Sequence, residues 1–177
     1  QVRFDDERTG RDIVVKPRQI GFSTLELARD LHFALTREGV QCLIVAHDKD
    51  LAEDLFLSVK VMAEGLRHRN LLPTTRYDNV RELVFAETGS AIRVVEAGAT
   101  DKAAQKRGRS GTIHRLHCTE VAFWGAPHAT MAALMGAAES ADSIVIESTA
   151  YGVGGIFYED VMAARPGALW MVKRMIR

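Results

Sequence analysis

"VVKPRQIGFST", Val14–Thr24, is the stretch whose reading decides the fold. A β-branched run enters a loop containing Gly21, and Ser23-Thr24 then open a segment with helical periodicity. Strand, glycine loop and helix in that order form the context of a phosphate-binding loop, in which backbone N–H groups and a helix N-terminus face phosphate oxygens. The usual pattern, GxxxxGK[ST], places a lysine directly after the second glycine. Here Phe22 occupies that position, and the nearest lysine is Lys16 at the other end of the loop. Three readings are open: a nucleotide site with a relocated lysine, an inactive one, or a helix that merely begins with "GFST".

Working outward, short β-like runs alternate with longer helical ones, the signature of an α/β protein with a mostly parallel central sheet flanked by helices. Asp12 to Lys16 predicts the first strand. The following helix has Leu25, Ala28, Leu31, Phe33 and Leu35 near helical spacing and Gly39 as its C-cap. Gln41 to Ala46 predicts a buried strand, and Asp48 caps a helix carrying Leu51, Leu55, Val59 and Met62 on one face. Leu83 to Phe85 and Ala91 to Glu96 read as a hairpin turned at Thr88-Gly89-Ser90. A basic, glycine-punctuated loop, "DKAAQKRGRSG", precedes the strand "TIHRLHC". "APHATMAALMGAAE" predicts a helix, "SIVIEST" a strand, "GGIFYEDVMAAR" a helix and "ALWMVKRMI" a last strand at or near the sheet edge.

Two further segments carry chemistry. A nucleotide hydrolase needs a second strand ending in an acid that orients or deprotonates water. "IHRLHCTEVAFW" supplies Glu120 there, with Thr119 where an aspartate normally stands; a hydroxyl holds a Mg²⁺-bound water without adding charge. "IVIESTAYGVGG" is an apolar strand ending in Glu147-Ser148-Thr149 and a glycine turn, where a hydroxyl can sense the γ-phosphate. In the loop itself, Gly21 admits close backbone approach, the Ser23 hydroxyl is placed to ligate Mg²⁺, and Lys16 or Arg18 supplies the missing cation.

Bulk properties set the frame. The 177 residues suit one domain with a substantial core. A composition 47% hydrophobic and 26% charged is that of ordinary globular proteins. Lys+Arg and Asp+Glu balance at 23 each, so any DNA contact must come from local patches rather than a global field. Cys42 and Cys118 lie in apolar runs, as reduced structural thiols of a cytoplasmic protein do. No apolar run approaches the ~18 residues of a membrane span. The opening "QVRFDDERTG" suggests a segment of a longer protein. His114 and His117 read as alternating on one strand face with the spacing of a metal pair, but without a Cys/Asp cluster they read as packed or solvated. Met131, Leu134 and Met135 read as core, and Trp124 and Trp170 as core or interface.

Together, "KPRQIGFST … TIHRLHCTEVAFW … IVIESTAYGVGG" resembles the ATPase domain of tailed-bacteriophage terminase large subunits, the DNA-packaging motors, over roughly Asp12 to Tyr158. The resemblance implies a P-loop NTPase of the additional-strand, catalytic-glutamate type, forming a single ATPase domain over residues 1–177. It implies ATP and Mg²⁺ as cofactors. Lys16 and Arg18 would contact the β/γ-phosphates, with Gln19, Gly21, Phe22, Ser23 and Thr24 completing the phosphate-binding segment. Ser23, Thr119 through water and Glu120 would hold Mg²⁺. Glu120 would be the catalytic carboxylate, and Ser148 and Thr149 the coupling motif. Arg109 would be an arginine finger acting in trans, with Arg107 its near competitor.

The implied partners are double-stranded viral DNA, met at its phosphate backbone, and the portal and small terminase subunit. A homo-oligomeric ring would form in the host cytoplasm, away from any membrane, while the isolated domain would be a monomer. Lys102, Lys106, Arg107 and Arg109 offer a basic surface. The family's adenine-contacting segment should precede Arg11, and its nuclease domain is expected to be missing: after Thr149 the acids are only Glu159 and Asp160, so no DNA cleavage is expected. Two alternatives stand beside the motor: a helicase-like nucleic-acid ATPase, and a nucleotide-binding or assembly domain with little hydrolysis.

Overall fold

The structure, a computed structural model, describes residues 6–79, 81–98, 112–164 and 171–174. Its elements in chain order are β1 (Arg11–Val15), α1 (Phe22–Thr36), β2 (Gln41–Ala46), α2 (Lys49–Arg67), β3 (Thr75–Asp78), β4 (Glu82–Phe85) and β5 (Ala91–Glu96). After these come β6 (Arg115–Thr119), a 3-10 turn (Val121–Phe123), α3 (Pro127–Ala137), β7 (Ser143–Ser148), α4 (Ile156–Ala163) and β8 (Met171–Arg174). The described strands form one eight-stranded sheet in the order β3-β4-β5-β2-β6-β7-β1-β8. From β5 to β8 every pairing is parallel; β4 joins β5, and β3 joins β4, antiparallel. This is the mostly parallel α/β arrangement expected, with the hairpin at one edge and the last strand at the other.

Period-2 alternation explains why helices cover both faces. On β2, Cys42, Ile44 and Ala46 join a core built with α1 and α2, while Leu43 and Val45 join the opposite core with Trp124, Met131, Leu134 and Phe157. Met131 and Leu134 are thus core, as expected, Trp124, read as core or interface, is core too, and both cysteines are buried and free. Burial pushes both thiols well up from their ordinary value. Asp48 caps α2 as its sequence predicts, accepting from the Leu51 N–H at 2.8 Å.

Several details differ from expectation. Helix α1 ends at Thr36 with Arg37 as its extended C-cap, so Gly39 is not the cap; at φ 66° it turns the chain so that its N–H reaches the Thr88 carbonyl at 2.8 Å. The buried face of α1 is not purely apolar. Ala28 is exposed, whereas Glu26 and Asp30 are buried beside Leu27, Leu31, Phe33 and Ala34. Strand β3 had no expectation attached, because "TTRYD" is polar and lies at the sheet edge. His114 and His117 do not share a strand face. His114 precedes β6 and accepts the Gln41 N–H, while His117 lies inside β6 and is buried. The basic loop with Lys102, Lys106, Arg107 and Arg109, and Trp170, lie outside the described residues.

Candidate nucleotide-binding site

Parallel strands deliver their C-terminal ends to one edge of the sheet, and in open α/β sheets that edge is where ligands bind. The order β6-β7-β1 brings three such ends side by side: Thr119-Glu120, Ser148-Thr149, and Val15 running into Lys16. The loop after β1 turns through Gln19 at φ 58° and Gly21 at φ 74° before α1 begins. Gly21 fits that left-handed conformation, whereas Gln19 adopts it at a cost. No acid occupies the first turn of α1, which leaves its positive end available to an anion.

Lys16 folds back from the loop, and its side chain is buried. Its ammonium lies 3.0 Å from Glu120 Oε1 and 3.0 Å from Glu147 Oε2. Desolvation works to lower its pKa, but the field of Glu147 and hydrogen bonds to both carboxylates outweigh it, and the net direction is up. Glu120 sits just past β6 in the left-handed region, φ 53°, ψ 42°. Its Oε2 accepts from the Thr149 hydroxyl at 3.1 Å, the Thr149 N–H at 3.3 Å and the Ser148 hydroxyl at 3.4 Å. The Ser148 hydroxyl also accepts the Ala122 N–H at 3.3 Å. The strand end expected to sense the site is therefore bonded to the expected catalytic carboxylate.

Ser23 donates to Glu147 Oε1 at 2.7 Å. Phe22 differs from its neighbours in the loop: its ring is buried against Val14 and Val145, so only its backbone can face a phosphate. Arg18, Gln19, Gly21 and Thr24 are exposed. Arg18 and Gln19 line a cleft of about 400 Å³ with His47, Leu51, Glu120 and Phe123. One wall of it is aromatic: the Phe123 ring is 6.2 Å from His47 and 4.6 Å from Tyr151. A hollow of about 290 Å³ between α2 and β4, lined by Lys60, Val61, Ala63, Glu64, Arg67 and Leu83, is far from these strand ends and gathers no comparable set of groups.

Beneath the site lies a row of buried charge that the motifs did not announce. On the α1 face of the sheet, Arg115 donates to Asp30 at 2.6 Å and to Glu26 at 3.1 Å, and Arg29 closes over Glu26. His117 Nε2 is 3.4 Å from Glu147 Oε1, and its Nδ1 is 3.9 Å from Asp30 Oδ2. Burial works to raise the Glu147 pKa. The His117 hydrogen bond and charge, the Lys16 charge and a Thr119 hydrogen bond overcome it and hold Glu147 at about 2. For His117, desolvation is outweighed by Glu147 and Asp30, and its pKa is raised. A legible signal did exist: Glu26 and Asp30 stand at i and i+4 amid core positions of α1, and Glu147 interrupts an apolar strand.

The donors that a divalent cation would meet are a hydroxyl, Ser23, and two carboxylates, Glu120 and Glu147, all hard oxygen ligands of the kind Mg²⁺ takes. The Lys16 ammonium already lies between the two carboxylates, so the position accepts positive charge. Among the described residues no group of three or more His, Cys, Asp and Glu forms a metal cage. Nor does any described helix have the length and apolarity to cross a membrane.

No protein-family model and no curated protein sequence matches the chain. Among solved structures it is similar to the large terminase ATPase domain of Thermus phage P74-26, with a TM-score of 0.72 and 19% identity over 98% of this chain and 79% of that one. It is similar, too, to the large terminase of the thermophilic bacteriophage D6E in complex with ADP, with a TM-score of 0.69 and 12% identity over 93% of this chain and 40% of that one. A second crystal form of the D6E protein gives 0.67 and 12% over 96% and 41%. At such identities the likeness is one of fold: the chain has the α/β fold of these terminase ATPase domains.

Proposed function

We propose that this chain is the ATP-hydrolysing motor domain of a viral DNA-packaging terminase, coupling hydrolysis to translocation of double-stranded DNA into a procapsid. The observation that carries this reading is the convergence of Lys16, Ser23, Glu120, Ser148 and Thr149 at the ends of three adjacent parallel strands. The fold shared with terminase ATPase domains, one of them in complex with ADP, supports the same nucleotide class.

The chemistry follows from which partner Lys16 takes. Without nucleotide, its ammonium neutralises Glu120 and Glu147. A γ-phosphate competes for that charge, and a lysine drawn to it leaves Glu120 with an unshared oxygen. Glu120 then orients the attacking water and accepts its proton, and catalysis is chiefly positioning and charge neutralisation. Ser23 is the side chain to hold Mg²⁺, which supplies neutralisation of phosphate charge when bound. Arg18, exposed at the cleft, is a second phosphate cation. Ser148 and Thr149 register the change of partners at Glu120 and pass it into β7.

In the assembled motor, Arg109 reaches a neighbouring subunit's site as a finger, and basic side chains meet DNA phosphates without reading sequence. The setting is a homo-oligomeric ring with portal and small terminase subunit in the host cytoplasm.

A second reading, a nucleotide-binding module with little hydrolysis, draws on one observation: Lys16 is held by two carboxylates that phosphate must displace. Two variants separate the readings. Lys16→Ala weakens ATP binding in calorimetry under either reading. Glu120→Gln keeps ATP binding while lowering the hydrolysis rate about 10²–10⁴-fold. An unchanged rate in Glu120→Gln would remove the catalytic assignment and leave the binding module.

A further inference from the structure

Strand β6 ends without an acid. Thr119 is buried and offers a hydroxyl, with no charge, at the point where a phosphate site needs negative charge for its cation. The register of β6 on β7 pairs Thr119 with Glu147. Glu147 is fully buried, and an ionised carboxylate taken out of water is costly unless other groups demand it.

What demands it are the groups it touches. Oε1 accepts the Ser23 hydroxyl at 2.7 Å and faces His117 Nε2 at 3.4 Å. Oε2 lies 3.0 Å from the Lys16 ammonium, and the carboxylate also takes a hydrogen bond from Thr119. Ser23 lies in the first turn of α1, directly after the glycine loop. A hydroxyl that gives a lone pair to a cation must send its proton elsewhere, and Glu147 is already the acceptor. Its other oxygen faces a position that now holds positive charge.

We infer that Glu147 supplies, from β7, the carboxylate missing from the end of β6. It accepts the Ser23 hydrogen bond, turns the Ser23 lone pairs towards the divalent cation of the bound nucleotide, and adds the negative charge that retains this ion. His117, behind it, is a positioning residue that fixes the carboxylate's direction. This inference rests on the nucleotide-site reading above.

The test uses Mn²⁺ as the probe, followed by electron paramagnetic resonance in the presence of ADP, with ADP affinity measured separately in EDTA. In Glu147→Gln, Mn²⁺ affinity falls about 10- to 100-fold, the loss typical of a deleted supporting ligand, while metal-free ADP affinity is kept. Moving the carboxylate back across the register, in the double variant Thr119→Asp with Glu147→Gln, recovers Mn²⁺ affinity. Wild-type Mn²⁺ affinity in Glu147→Gln overturns the inference. So does a loss that appears equally in EDTA and is not recovered by Thr119→Asp, because Glu147 would then act only through Lys16. If the unaltered chain binds no ADP under any condition, the nucleotide reading falls first and takes this inference with it.

Discussion

Lys16 shows how a single side chain takes its role from its neighbours. Buried lysines ordinarily lose charge, because desolvation disfavours the ammonium. Here two carboxylates reverse that direction and keep Lys16 cationic inside the sheet edge. The corollary is a stability cost when the ammonium goes. Lys16→Met leaves Glu120 and Glu147 facing each other with their cation removed, and breaking such a buried pair typically costs about 3–5 kcal/mol. Urea unfolding of this variant at neutral pH is expected to show a lower midpoint with an unchanged slope. A midpoint equal to that of the unaltered chain would mean that the three groups do not form this cluster in solution.

Among the elements, α1, β6 and β7 share a charged seam where an apolar one would suffice. Its pH dependence can be signed. Glu147 has a folded pKa of about 2 against an ordinary 4.5, so its contribution is present above 4.5 and is lost as pH falls from there towards 2. His117 is shifted upward from 6.5, so its contribution is full below 6.5 and is lost as pH rises through its folded value. Glu26 runs opposite to Glu147: burial raises its pKa, so what it adds is present below 4.5 and lost above it. Replacing His117 by Gln should flatten the alkaline limb of the stability–pH curve, measured by chemical unfolding from pH 6 upward. An alkaline limb as steep as before would place the titrating group elsewhere.

This seam also marks where the sequence stopped being legible. Strands β1, β2, β6 and β7 and the four described helices follow from periodicity, caps and glycine punctuation, because each of those signals is local. Lys16, Ser23, Glu120, Ser148 and Thr149 were legible as a site because they end strands or open a helix in a fixed order. Glu147 was legible only as an acid interrupting an apolar strand, and His117 not at all, since their roles lie in the β6–β7 register and in which face of α1 lies above it. Those are relations between segments distant in the chain, 30 positions for His117 and Glu147 and 124 for Ser23 and Glu147. Strand β3 escaped for a different reason: an edge strand needs little apolar patterning.

At the scale of the whole molecule, the sheet is a platform whose two cores hold three strand ends in register while the chemistry stays at the rim. Binding to that rim should stabilise the entire fold by mass action. ADP at about 100 times its dissociation constant adds about 2.7 kcal/mol. Calorimetric melting is expected to show an upward shift that grows with the logarithm of ADP concentration. A flat melting temperature would mean that no ADP site is present in the folded chain. The gain should extend to hydrogen-exchange protection in β1, β6 and β7, since β7 is paired to both of the others.

Glu120 holds a left-handed backbone that glycine and asparagine enter far more easily. Natural variation that tracks folding alone would drift towards those residues at position 120, one base change at a time. A glutamate kept there across related sequences would therefore be a record of use rather than of architecture. A lineage that had exchanged it for glycine would be one whose site had fallen silent while its sheet endured.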